Sequence, residues 1–90
     1  MNWKIEIKPT AEKSFRKLSK DTRKRIKEAL RKLETSNNPF LLENVRPLTG
    51  ELRGDYRLRV EEWRILFTPD RQRKVILIYA VLPRGSAYKN

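Results

Sequence analysis

Trp3-Lys4-Ile5-Glu6-Ile7-Lys8 alternates apolar and charged side chains, the period of two that marks a half-buried strand, and Pro9 ends it. Thr10 stands where a helix N-cap belongs, ahead of Ala11, Phe15 and Leu18 at spacings of four and three. Ser19 or Asp21 opens a second helix, with Ile26, Ala29, Leu30 and Leu33 as its apolar stripe. Its other face carries Arg23, Lys24, Lys27, Glu28, Arg31 and Lys32, and Ser36-Asn37-Asn38-Pro39 stops it. Residues 39–50 are irregular, with two prolines and a glycine, and Leu41, Leu42, Val45 and Leu48 are expected to pack down as an extended cover.

The period of two returns in Tyr56-Arg57-Leu58-Arg59-Val60, pauses at Glu61-Glu62, and resumes in Trp63-Arg64-Ile65-Leu66-Phe67. Pro69-Asp70-Arg71-Gln72 reads as a polar turn, and Val75 to Leu82 is an unbroken apolar run expected to be a central strand covered on both faces. The order strand, helix, helix, then three strands predicts an α+β fold, β-α-α-β-β-β: an antiparallel sheet with two helices on one face and a short C-terminal tail. With 90 residues, the whole chain, 1–90, is expected to form a single domain.

A turn over Glu61-Glu62 pairs Val60 with Trp63, Arg59 with Arg64, Leu58 with Ile65 and Arg57 with Leu66. Opposed residues project from the same side of a sheet. Arg57, Arg59 and Arg64 therefore share one face, and Tyr56, Leu58, Val60, Trp63, Ile65 and Phe67 share the other. The apolar set belongs under the helices, which leaves the arginines on the open face. Like charges opposed on a sheet cost roughly 0.2–1 kcal/mol per pair, so their acceptance in mid-hairpin points to a functional face. The plain alternative is that Arg59 and Arg64 splay into solvent or pair with Asp55, Glu61 and Glu62.

Composition narrows the chemistry. The chain has no cysteine and no histidine, which removes disulfides, thiol nucleophiles, the usual zinc sets and histidine-based acid/base catalysis. Lys and Arg number 22 against 11 Asp and Glu, a formal charge of +11, which calls for a polyanionic partner. Residues 71–90 carry five basic side chains and no acid. No apolar run approaches a membrane span and the N-terminal residues lack a signal-peptide stretch, so a cytoplasmic protein with no membrane partner is expected. Arginine rather than lysine on the open face suits bidentate phosphate contact. Tyr88 either anchors the tail or acts on RNA, by stacking or by proton exchange once nearby arginines lower its phenol from a pKa of about 10. Metal-free RNA cleavage by the neighbouring 2′-hydroxyl is then permitted, with no cofactor required.

The segment from Leu48 to Asn90 (LTGELRGDYRLRVEEWRILFTPDRQRKVILIYAVLPRGSAYKN) resembles the RelE/ParE toxin superfamily of toxin–antitoxin pairs, and especially its RelE branch. The most specific parts are the L-x-G-x-Y-R-L-R-V…W-R-I-L-F hairpin and the terminal R-G-x-A-Y-K; the preceding strand and helices match the family's order, so the resemblance spans the chain. It implies a ribosome-dependent endonuclease, or mRNA interferase, that cuts mRNA in the ribosomal A site and inhibits translation, held silent by a cognate antitoxin. Carried over by position, Arg57, Arg59 and Arg64 would grip RNA phosphates and transition-state charge, with Lys89 at the RNA in the tail. Arg84 would stabilise or protonate the leaving 5′-oxygen, and Tyr88 would stack on or deprotonate the reacting nucleotide. The implied products are a 2′,3′-cyclic or 3′-phosphate and a 5′-hydroxyl, formed without metal.

Well-known members carry lysine at one or both strand positions, where it is a candidate base; arginine is a poor one. That moves the base role to Tyr88, or to charge stabilisation with no strong base. The spacing from Arg84 to Tyr88 is also shorter than in some members. Two other readings stand beside the nuclease: a ParE-like inhibitor of DNA gyrase without nuclease chemistry, and a basic RNA-binding module. The implied antitoxin is acidic and RelB-like, covering the arginine face or adding a strand along Trp3–Lys8 or the last strand.

Overall fold

The computed structural model describes residues 2–86. Its elements are β1 (Lys4–Ile7), α1 (Pro9–Arg16), α2 (Lys20–Thr35), β2 (Val45–Pro47), β3 (Tyr56–Val60), β4 (Trp63–Asp70) and β5 (Val75–Pro83). Two helices pack on a five-stranded sheet of order β1-β5-β4-β3-β2.

This is the expected α+β architecture with three differences. First, the sheet is mixed, because β1 lies parallel to β5, with Ile5 opposite Ile76 and Ile7 opposite Ile78. Successive hairpin pairings from β2 to β5 leave β5 running opposite to β2 and alongside β1. Pairing between strands so distant in sequence leaves no mark in local periodicity. Second, Val45–Pro47 is a strand on the far side of β3 rather than irregular cover. Third, β4 runs on through Pro69 and Asp70, so the turn falls over residues 71–74. The sheet's outer strands are therefore β1 and β2, and β5 is paired on both sides only from Val75 to Ile78, so its later half carries a strand on the β4 side alone.

Local chemistry places the helices. Pro9 starts α1 from N-cap Lys8, where its missing N–H costs nothing, so Thr10 lies inside the helix rather than capping it. Ser19 caps α2, its hydroxyl accepting from the Thr22 N–H at 3.2 Å. Ile26 and Leu33 of α2 and Ala11 of α1 are buried, together with Trp3, Val45, Leu58, Val60, Ile65, Phe67, Ile76, Ile78 and Val81 of the sheet side. All of the paired strand residues in this set lie on one face by register.

A short 3-10 turn, Pro39–Leu41, is fixed by Asn38, whose side-chain oxygen accepts from the Phe40 N–H at 3.2 Å. It turns Phe40 inward between Trp3 (ring centroids 5.3 Å) and Tyr56 (4.7 Å), and Tyr56 stacks on Phe67. Leu41 consequently points out, 80% exposed, contrary to its expected role in the cover, while Val45 and Leu48 are buried as expected.

β5 lies between β1 and β4 rather than at the centre of the sheet, and the helices cover one of its faces only: Leu77, Tyr79, Ala80 and Leu82 on this strand are half-buried. Ile26→Ala is expected to lower the free energy of unfolding by about 2–5 kcal/mol, and Leu41→Ala to change it by less than about 0.5 kcal/mol, both read by urea denaturation.

Candidate nucleic-acid interface

The hairpin register is the one derived from the turn: Val60 opposite Trp63, Arg59 opposite Arg64, Leu58 opposite Ile65, Arg57 opposite Leu66 and Tyr56 opposite Phe67. The face away from the helices therefore holds Arg57, Arg59 and Arg64 together. β2 adds a residue that the sequence did not reveal, Arg46, directly opposite Arg57. A strand of three residues containing one proline is too short for its alternation to register. Two like-charged pairs, Arg46 with Arg57 and Arg59 with Arg64, thus lie side by side.

The guanidinium groups are held by backbone carbonyls. Arg64 Nη1 donates to the carbonyls of Glu61 (2.9 Å) and Trp63 (3.0 Å), and Arg46 Nη1 donates to those of Glu43 (3.0 Å) and Val45 (3.1 Å). A guanidinium has five N–H donors in a planar fork, so these anchors leave donors for a ligand. Arg57 is half-buried, and its Nε lies out of contact with solvent. Arg59 is exposed, and its strand is tied to Asn44 by Asn44 Nδ2 donating to the Arg59 carbonyl at 3.1 Å.

The nearby acids are engaged elsewhere. Glu61 pairs with Arg25 of α2, Glu62 lies 3.8 Å from Arg84, and Asp55 accepts from Thr68 Oγ1 (2.9 Å) and the Tyr79 hydroxyl (2.7 Å). Among the described residues no carboxylate pairs with Arg46, Arg59 or Arg64. Arg46, Arg59 and Arg64 therefore keep their positive charge unmatched by a carboxylate of the described residues.

Arg84 follows β5, whose Pro83 lies opposite Trp63; its backbone N–H donates to the Glu62 carbonyl at 2.6 Å. It stands at the same end of the sheet as Arg59 and Arg64, with its side chain 70% exposed. Tyr88 and Lys89 lie outside the described residues.

Tyr79 was also missed, because in sequence it is one more member of an apolar run. Burial, and the Asp55 carboxylate it donates to, hold its phenol well above the ordinary range, so it is a hydrogen-bond donor and not a base. Among the described residues no three His, Cys, Asp or Glu side chains gather as a metal site would require, and no helix is long and apolar enough to cross a membrane.

A positive, helix-free sheet face on this α+β frame offers a broad surface to an anionic partner. The family described as "ParE toxin of type II toxin-antitoxin system, parDE" matches residues 5–88. The chain belongs to this family, within the RelE/ParE toxin superfamily, and is a toxin of a type II toxin–antitoxin system. Among solved structures it is similar to the archaeal RelE–RelB complex from Pyrococcus horikoshii OT3, at 29% identity over 97% of this chain and 100% of that one, with a TM-score of 0.79. It is also similar to the RelB–RelE antitoxin–toxin complex from Methanococcus jannaschii, at 25% identity over 86% and 87% of the two chains, with a TM-score of 0.70. The isolated E. coli RelE toxin shares the fold at 18% identity over 94% and 87%, with a TM-score of 0.75. Comparison with curated protein sequences gives no match.

The raised Tyr79 phenol has a consequence for stability. The unfolded chain ionises this group near 10.0 while the folded chain keeps it protonated, so its contribution is complete below pH 10 and is lost as pH rises towards the folded value. Tyr79→Phe is expected to cost about 1 kcal/mol at neutral pH and to flatten the decline of stability above pH 10, measured by urea unfolding across that range.

Proposed function

We propose that this toxin is an mRNA interferase of the RelE type: a metal-independent endoribonuclease that cuts mRNA in the ribosomal A site. The observation that carries the reading is the row of Arg46, Arg57, Arg59 and Arg64 on the open face, with Arg84 at its end and no carboxylate among the described residues paired to Arg46, Arg59 or Arg64. Such a face suits a ribose-phosphate chain far better than a small acid or an apolar ligand.

In this reading the 2′-oxygen attacks the adjacent phosphorus as the bond to the 5′-oxygen breaks. The products are a 2′,3′-cyclic phosphate and a 5′-hydroxyl. Arg57, Arg59 and Arg64 bind the phosphates and the charge that builds on the phosphoryl oxygens, and Lys89 contributes to RNA binding. Arg84 protonates the leaving 5′-oxygen, or stabilises it until solvent supplies the proton of the 5′-hydroxyl, and its salt bridge to Glu62, long and exposed, is easily exchanged for this. Tyr88 takes the 2′-hydroxyl proton or stacks on the reacting nucleotide. A cognate acidic antitoxin of the RelB kind, the ribosome and mRNA are the proposed partners, and the cytoplasm the proposed compartment.

The match to a family described by its ParE member favours one second reading: a toxin that inhibits DNA gyrase by binding, without nuclease chemistry. Translation of a defined mRNA on purified ribosomes, with cleavage mapped by primer extension, separates the two. A-site cuts are expected with wild-type protein, reduced about 10²–10³-fold in Arg84→Ala by loss of a transition-state donor. Tyr88→Phe is expected to lower the rate if the hydroxyl carries the proton and to leave it unchanged if the ring only stacks. Intact mRNA together with arrested DNA supercoiling by gyrase would replace the nuclease reading with the gyrase one.

A further inference from the structure

The arginines on the open face stop at a chemical boundary. Moving along β3 away from the Glu61-Glu62 turn, the outward positions are Arg59, then Arg57, then Asp55 just before the strand begins. On β4 the same walk passes Arg64, Leu66 and Thr68. A β-bulge lies beside this boundary: Leu66 faces Ala80 and Phe67 faces Ile78, which leaves Tyr79 as the extra residue. Bulges re-aim side chains next to functional sites, and this one sends the Tyr79 hydroxyl to Asp55. Two donors from two different strands thus fix one carboxylate, Thr68 on Oδ1 and Tyr79 on Oδ2.

We infer that Asp55 is a specificity-determining residue: it reads the base of the nucleotide next to the phosphate held at Arg57, selecting a base edge with an amino group. Thr68 and Tyr79 are its positioning residues. The inference rests on the RNA reading of the arginine face. An ionised carboxylate only accepts hydrogen bonds, and its two oxygens offer about four lone-pair sites. Thr68 and Tyr79 take one on each oxygen, so a further acceptor site remains on each, in a plane that can no longer rotate.

The step from Arg57 to Asp55 is one pleat of strand, about 6.6 Å. A phosphate placed there would meet a negative charge, so the sugar-phosphate chain leaves the face and a base is presented instead. Unstacked RNA bases are read on their Watson–Crick edges. Guanine, adenine and cytosine each offer an amino group on that edge. Uracil offers two carbonyl oxygens around a single N–H, and the carboxylate repels them.

The test measures binding of single-stranded RNA hexamers to the full chain: hexauridylate, and hexauridylate with one guanosine, adenosine or cytidine. Wild-type protein is expected to favour the amino-bearing hexamers by about tenfold. Asp55→Asn, whose amide both donates and accepts, should bring that ratio below about twofold while leaving hexauridylate binding intact or tighter. Tyr79→Phe frees the carboxylate and should cut the ratio to about threefold, with folding of both variants checked by thermal unfolding. Arg59→Ala should weaken every sequence alike.

A ratio unchanged in Asp55→Asn, an equal loss for all sequences, or no preference or binding by wild type overturns the assignment. The same variants on ribosomes keep the two readings apart. Wild-type cleavage with an unaltered codon ranking in Asp55→Asn removes the role of Asp55 and leaves the nuclease standing. Absence of wild-type cleavage removes the nuclease, and the hexamer ratio then decides Asp55 alone.

Discussion

Val60 and Trp63 face one another across a two-residue turn, and this register decides which side chains the helices cover. In a strand, neighbouring side chains project to opposite faces, so a slip of one residue would set the two strands out of phase and carry either Arg57 and Arg59 or Arg64 into the core. Burying an unpaired guanidinium group against Ile26 and Leu33 is prohibitive, which makes the observed pairing the one the helices permit. Glu61 takes a positive φ of 52° to close the turn and pairs with Arg25 of α2. The bend that sets the sheet register is thereby tied to the helical layer that the register serves.

The same hairpin was the most legible part of the sequence, for a physical reason. Both strands alternate strictly and the turn between them is short, so pairing and face follow from counting. Elements that depend on distant partners were not legible. β1 was recognisable as a strand, but its parallel neighbour lies some seventy positions on, from Lys4 to Val75. Arg46 joined the arginine face only when Val45–Pro47 was seen against Tyr56–Leu58. Tyr79 was hidden within an apolar run because a bulge, which periodicity assumes away, turns it towards Asp55. Arg57, Arg59 and Arg64, which owe their place to the hairpin, follow from counting; Arg84, after β5, came from the family resemblance, and Arg46 of β2 and Tyr79 of β5 were not found.

Charge on the open face is organised by where the acids are anchored as much as by where the bases stand. Glu61, Glu62 and Asp55 all lie close enough in sequence to neutralise the arginines. One is drawn to α2, one to Arg84, and one to hydroxyl donors of β4 and β5. Backbone carbonyls hold Arg46 and Arg64 without cancelling their charge. Arg46, Arg59 and Arg64 are thereby left as positive charges that an anion can meet.

The pleat also divides the chain's work. Around the turn the buried set and the arginine set alternate, with Arg57 and Arg59 beside Leu58 and Val60 on β3 and Arg64 beside Ile65 on β4. Substitutions at inward and outward positions of the hairpin then answer to different constraints: Leu58, Val60, Ile65 and Phe67 are held by packing, whereas the exposed Arg59 is not. A lineage of such proteins can alter what it recognises one outward residue at a time without first securing compensating changes in its core.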